Sequence, residues 1–175
     1  MADEALLAEL IARIAGGAAA FDERGQKVIP PEPVRTGDRS LKLLYRRLPG
    51  RLPRLFEQLL LSYRWPEADL GDFLLFASPP GDDFSGFVAQ LTKDPHLARA
   101  LLPAGLVQFG RGPLDTYDPA CFDVTRTRRG DCPIVQVDHE EILCNDRIRL
   151  VTELAPSFRA LAVRATTAPK KVSAS

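Results

Sequence analysis

The sequence predicts an α+β fold with a single, mainly antiparallel sheet flanked by helices. Three observations predict it. Helical apolar stripes dominate residues 2–102, short strand-like runs dominate residues 105–151, and one more helical stripe closes the domain. At 175 residues, 45% of them hydrophobic, the chain is long enough for one domain with a substantial core.

Residues 2–20 form the first predicted helix. Leu6, Leu7, Leu10, Ile11 and Ile14 share one stripe, Asp3 is placed to cap it, and Gly16-Gly17 weakens its end. Residues 22–39, broken by Pro30, Pro31, Pro33 and Gly37, read as a linker. Residues 1–39 are therefore expected to be an arm that docks on the body or on another subunit, giving a route to homo-oligomers. The body is expected over residues 40–165, with 166–175 as a frayed polar tail.

Within the body, "SLKLLYRRLPG" reads as a short helix stopped at Pro49-Gly50. "LPRLFEQLLLSYRW" reads as a second, with Pro53 in a tolerated first-turn position and a stripe of Leu52, Leu55, Phe56, Leu59, Leu60 and Tyr63. "DFLLFA" has the continuous apolar character of a buried strand. "FSGFVAQL" and "DPHLARALL" are helical, the latter with Asp94 as cap and Pro95 in its first turn. "LVQFG", "CFDVTRT", "PIVQVD", "EILC" and "RIRLV" are strand candidates. "RRGD" joins two of them as a hairpin turn, with Gly130 free to take a positive φ. "APSFRALAVRA" is the closing helix.

Charge and cysteine usage narrow the function. Basic and acidic residues number 23 each, which argues against a general nucleic-acid binder. No apolar run approaches the roughly 20 residues of a membrane span, and the N-terminus lacks a secretory pattern. Cys121, Cys132 and Cys144 then read as reduced thiols of a cytoplasmic protein.

The stretch "GDCPIVQVDHEEILC" concentrates the candidate chemistry. A zinc site of Cys121, Cys132, His139 and Cys144 lacks the C-x-x-C pairing of a metal knuckle. A hydrolase built on His139 and Glu140 lacks a nucleophile elbow. On a strand, Asp138 and Glu140 would share a side opposite His139; they suit magnesium or calcium, but no third acid stands at a recognisable spacing. No metal, cofactor or catalytic residue is assigned on these grounds.

Arg46, Arg47, Arg51 and Arg54 form a basic cluster, read as a solvated helix face rather than a nucleic-acid patch. The acids Asp115, Asp118, Asp123, Asp131, Asp138, Glu140, Glu141 and Asp146 would make a negative rim if they share one sheet edge. Such a rim attracts a basic partner, unless the neighbouring arginines neutralise it.

The order "LPRLFEQLLLSYRW", Phe109-Gly110, Tyr117-Asp118, Cys121-Phe122-Asp123, Pro133-Ile134-Val135, Asp138-His139-Glu140 and Ser157-Phe158 resembles the SUKH superfamily. That group surrounds the fungal Smi-one/Knr-four cell-wall regulators and includes many bacterial immunity proteins. The resemblance covers roughly residues 48–163. It departs after the opening helix, where the usual glycine-and-tryptophan turn stands only as "YRWPEADLGDF" with Trp65 and Gly71 displaced, and residues before Leu48 match nothing in the pattern. It implies an α+β fold whose sheet cleft binds proteins, among them nuclease or deaminase toxins, and it brings no catalytic residues. With the charge argument, it points to a non-enzymatic protein-binding scaffold for a basic toxin. Asp123, Asp138, Glu140 and Glu141 are the expected contacts, and Tyr117 the aromatic anchor. A regulatory interaction module is the second expectation, and a metal protein or hydrolase using His139 the third.

Overall fold

The computed structural model describes residues 2–20, 25, 27–34, 37–81, 84–112 and 116–168. The chain runs α1 (Asp3–Gly17), β1 (Glu32–Pro33), α2 (Asp38–Tyr45), α3 (Arg54–Ser62), β2 (Tyr63–Arg64), β3 (Ala68–Asp69) and β4 (Leu74–Leu75). It continues through α4 (Ser85–Leu91), α5 (Pro95–Leu101), β5 (Leu106–Arg111), β6 (Pro119–Asp123) and a 3-10 turn, Val124–Arg126. It ends with β7 (Ile134–Val137), α6 (His139–Asn145), β8 (Leu150–Ala155) and α7 (Phe158–Thr167). The α+β class is as expected. Six strands form one antiparallel sheet in the order β3-β4-β5-β6-β7-β8, so each strand pairs with its neighbour in the chain.

Side-chain alternation gives the sheet two apolar faces. Val107, Phe109, Phe122 and Ile134 point into the larger core, where α1, α3, α4 and α7 meet. Leu106, Cys121, Val135 and Val137 point the other way, under Leu101 of α5 and Ile142 of α6. Phe56 of α3 lies at the centre of the larger core. Its ring centroid is 4.8 Å from Phe122, 5.2 Å from Phe158, 5.8 Å from Phe87 and 5.9 Å from Phe109.

The N-terminal segment docks on the body, the first of its two expected placements, and its helix is part of the larger core. Leu6, Leu7, Leu10 and Ile14 are buried in the larger core, and α1 packs against α7 and β3. An apolar stripe of this length has to leave water, and the body offers the face. Gly17 permits the approach, since a Cβ there would lie 2.1 Å from the Asp69 carbonyl oxygen. Asp3 does not cap α1. Ala2 holds that position, and Asp3 pairs with Arg159 of α7. The expected linker also contributes structure, because β1 pairs with β2 and the Val34 amide donates to the Ser62 carbonyl. The expected tail starts inside α7, and residues 169–175 lie outside the described residues.

Strand β6 ends sooner than its alternation suggests. Asp123 caps the 3-10 turn, its carboxylate accepting from the Thr125 amide, and Val124 leaves the ladder. The hairpin to β7 turns at Arg129 and Gly130, both at positive φ (54° and 79°), as two-residue hairpin turns require. "EILC" is helix rather than strand, as α6. On the outer strand β8, register shifts interrupt the pairing with β7 at two places.

Among the described residues, no helix is long and apolar enough to cross a membrane. All three cysteines are free: Cys121 and Cys132 are buried and Cys144 is exposed. Burial pushes the Cys121 thiol far up and the Cys132 thiol up to about 12. In the native protein, a thiol-reactive chromophore is expected to label Cys144 alone, the other two reacting only in denaturant. Rapid native labelling of a second cysteine would contradict this packing.

Candidate functional site: a cleft on the second face of the sheet

Helices α5 and α6 cover only part of the sheet's second face. Beside them an open cleft of about 700 Å³ remains, with Gln108 of β5 and Phe76 on its floor. Lys93, His96 and Leu97 line one side, and His139 and Leu143 of α6 the other, with Arg111 and Tyr117 between them. Asp94 fixes the first wall: its carboxylate caps α5 by accepting from the His96 and Leu97 amides at 2.9 and 3.1 Å.

Tyr117 is 63% exposed, the highest value for a large hydrophobic residue among the described residues. The Arg111 guanidinium carbon lies 5.5 Å from its ring centroid, and the His139 ring meets it edge-on at 6.0 Å. An aromatic ring held between a cation and an imidazole loses little freedom when a partner covers it.

His139 is fixed from below. Its Nδ1 lies 2.8 Å from Asp118 Oδ1, and the same oxygen accepts the His139 backbone N–H at 3.1 Å. Gln136 Nε2 donates to the other Asp118 oxygen at 3.4 Å. With Nδ1 engaged, Nε2 is the ring atom left to a ligand. The carboxylate that orients His139 is thus Asp118, and the Glu140 expected from the sequence has no such part.

The acidic rim does not assemble as expected, because the fold uses most of its carboxylates internally. Asp123 is only 8% exposed. It accepts from Thr125 Oγ1 at 2.5 Å and from Arg126 Nε at 2.6 Å. Burial pushes the Asp123 carboxyl up, but the bonds from Thr125 and Arg126 outweigh it and hold the group below the usual carboxylate range. Asp138 caps α6 by accepting from the Glu141 amide at 3.0 Å, and it pairs with Arg149, whose bond lowers its pKa. Asp131 accepts from the Cys132, Phe158 and Arg159 amides. Asp115 lies outside the described residues. Of the expected contact acids, Glu140 is exposed and Glu141 half-buried in the first turn of α6, where they offset the helix dipole. Because that segment is helical, Asp138 and Glu140 do not share a strand face opposite His139.

These depressed carboxyls set an acid dependence. Their contribution is complete above the unfolded value of about 3.9 and is lost as pH falls through the lower folded values. Asp123→Asn is therefore expected to destabilise the protein at neutral pH and to flatten the acid limb of its stability profile. Urea midpoints from pH 7 down to 3 test this, and parallel profiles for variant and wild type would contradict it.

Cys121, Cys132, His139 and Cys144, set aside as a zinc set on their spacing, are not brought together among the described residues. Among the described residues, the one group able to hold a cation is Asp118, Asp138 and His139, with donor atoms within 4.8 Å of one another. Each of those residues already serves a hydrogen bond, a helix cap or the Arg149 pair. Magnesium or calcium would have to displace that guanidinium.

Compared with family models, with curated proteins and with solved structures, the chain finds no match. The SUKH resemblance therefore rests on the order of its motifs alone.

Sequence reasoning found Tyr117 and His139 and missed Arg111, His96, Lys93 and Leu143. Arg111 lies on β5, Leu143 on α6, His96 on α5 and Lys93 in the bend just before α5, so no single local pattern links all four. The turn of α6 did carry a signal: Asp138 followed three residues later by Glu141 is a helix-start signature.

Proposed function

We propose that this chain is a non-enzymatic protein-binding module that grips its partner in the cleft beside α5 and α6. The observation that carries the proposal is Tyr117, exposed at the cleft and braced by Arg111 and His139. Tyrosine and arginine, bordered by the apolar Leu97 and Leu143, make up the composition that dominates binding energy at protein interfaces. The immunity-type role implied by the resemblance belongs to this proposal, with a toxin as partner, and a regulatory partner is the alternative. With Asp123 and Asp138 committed to arginines, the charge argument for a basic partner falls away. The cleft itself carries both signs of charge, Lys93 and Arg111 beside Glu67 and Asp94, around the apolar Phe76, Leu97 and Leu143.

Affinity capture followed by titration with the purified partner tests the reading. Tyr117→Ala is expected to weaken binding at least tenfold, about 2 kcal/mol as interface anchors typically cost. Asp138→Lys with Glu140→Lys should matter less, since both flank the cleft rather than line it. Unchanged affinity in Tyr117→Ala would remove the proposal. Growth protection by co-expression against a captured toxin separates immunity from regulation.

A second reading rests on Asp118, Asp138 and His139, whose donor atoms approach closely enough to hold a divalent cation. Calorimetric titration with magnesium, manganese and zinc decides it. Stoichiometric binding abolished by His139→Ala would favour the metal reading over the scaffold.

A further inference from the structure

Folding gathers arginines from two distant stretches at one end of the molecule. Arg46, Arg47 and Arg51 lie in the connection between α2 and α3, and Arg54 opens α3. Arg128 and Arg129 lie in the β6–β7 hairpin. All six are exposed. The two stretches touch: the Arg54 amide donates to the Gly130 carbonyl at 2.8 Å, and a Cβ on Gly50 would lie 2.8 Å from Val124 Cγ2. In the sequence, the hairpin arginines look like neutralisers of the nearby acids, but of those in this turn region only Arg126 has that role, pairing with Asp123 and Glu153. Glu57 is taken by Tyr45 and Arg51, and Asp131 caps α7. Arg46, Arg47, Arg54, Arg128 and Arg129 form no ion pair with any described residue.

We infer that this arginine end is a docking surface for the phosphate backbone of a nucleic-acid duplex. Two features favour that occupant over an acidic protein. The cluster is arginine throughout, and the guanidinium fork matches phosphate oxygens in pairs. Among the described residues the surface also lacks an apolar centre: Leu43 on α2 is the one exposed large hydrophobic residue bordering it, and a protein interface needs more. Net neutrality argues against a general nucleic-acid binder but not against a local patch, because backbone binding depends on local cations that displace condensed counterions. The surface is distinct from the cleft residues, so either assignment can fail without the other.

Fluorescence anisotropy of the full chain with labelled DNA and RNA duplexes tests the inference. Binding is expected at about 50 mM salt and should fall steeply toward about 200 mM, with a log–log slope near −4 for about five phosphate contacts. Arg54→Gln with Arg128→Gln should weaken binding at least tenfold at low salt and make the slope shallower by about two. Arg46→Gln with Arg47→Gln, in a solvent-exposed turn, should do the same if the first pair disturbs folding. Arg147→Gln, beyond the far end of β7, and Tyr117→Ala should each leave duplex binding unchanged. The DNA and RNA arms identify which duplex geometry the surface prefers. Failure to bind either duplex at low salt would overturn the inference. So would wild-type affinity in both arginine pairs, or binding to polyglutamate but to neither duplex.

Discussion

Phe56→Ala is expected to lower the free energy of unfolding by about 3–5 kcal/mol, the usual cost of emptying a fully packed aromatic position. Phe56 is completely buried and lies within reach of Trp65, Phe87, Phe109, Phe122 and Phe158, so the void opens onto five rings at once. Phe109 and Phe122 stack nearly parallel at 4.0 Å and line the sheet side of that void. They are anchored in paired strands and have little freedom to close over it. Domains of this kind have a total stability of about 5–15 kcal/mol, so the variant should be partly unfolded at modest urea concentrations. Phe56→Leu, which keeps most of the volume, should cost clearly less. Urea denaturation followed by tryptophan fluorescence suits the test, since Trp65 adjoins the cavity. A loss under about 1 kcal/mol would mean that the core is not organised around this ring.

The second large effect concerns α1. Leu10→Ala is expected to cost about 2–5 kcal/mol, as for any fully buried leucine. A chain that begins at residue 38 is expected to lose cooperative unfolding altogether. Its removal would bare the faces of α7 and β3 that now bury Leu6, Leu7, Leu10 and Ile14. A segment that only rests on the body would leave a shortened chain with nearly native stability. Calorimetry on the two forms distinguishes them, and a sharp, native-like transition in the shortened chain would contradict a role for α1 in the core.

The sequence made the helices legible where an apolar stripe and a capping residue coincided. Asp94 before Pro95 and Ser157 before Phe158 mark their helix starts, and both caps are present. The central strands were legible for a related reason, because Phe122 alternates with the small or polar Cys121 and Asp123, and it sits opposite Ile134 in the ladder. Strands β2, β3 and β4 span two residues each, too few for any periodicity to appear. Helix α6 was mistaken for a strand because its one deeply buried residue, Ile142, gives no repeat to measure. The site was legible only in part. Tyr117 and His139 drew attention as residue types, while the pairing of His139 with Asp118 crosses 21 positions and exists only once β6 and α6 are placed. The acidic rim failed for a different reason: carboxylates crowd the sequence here because turns and helix starts need them.

The strand order has one consequence for how the protein is made. Each strand of the large sheet lies beside the next one in the chain, so the sheet can zip up in sequence while the ribosome is still at work. Its greasy side, however, is finished by the first and last helices together. Until the final residues of α7 emerge, the nascent polypeptide carries an unsealed surface, and that interval is when chaperones should find it.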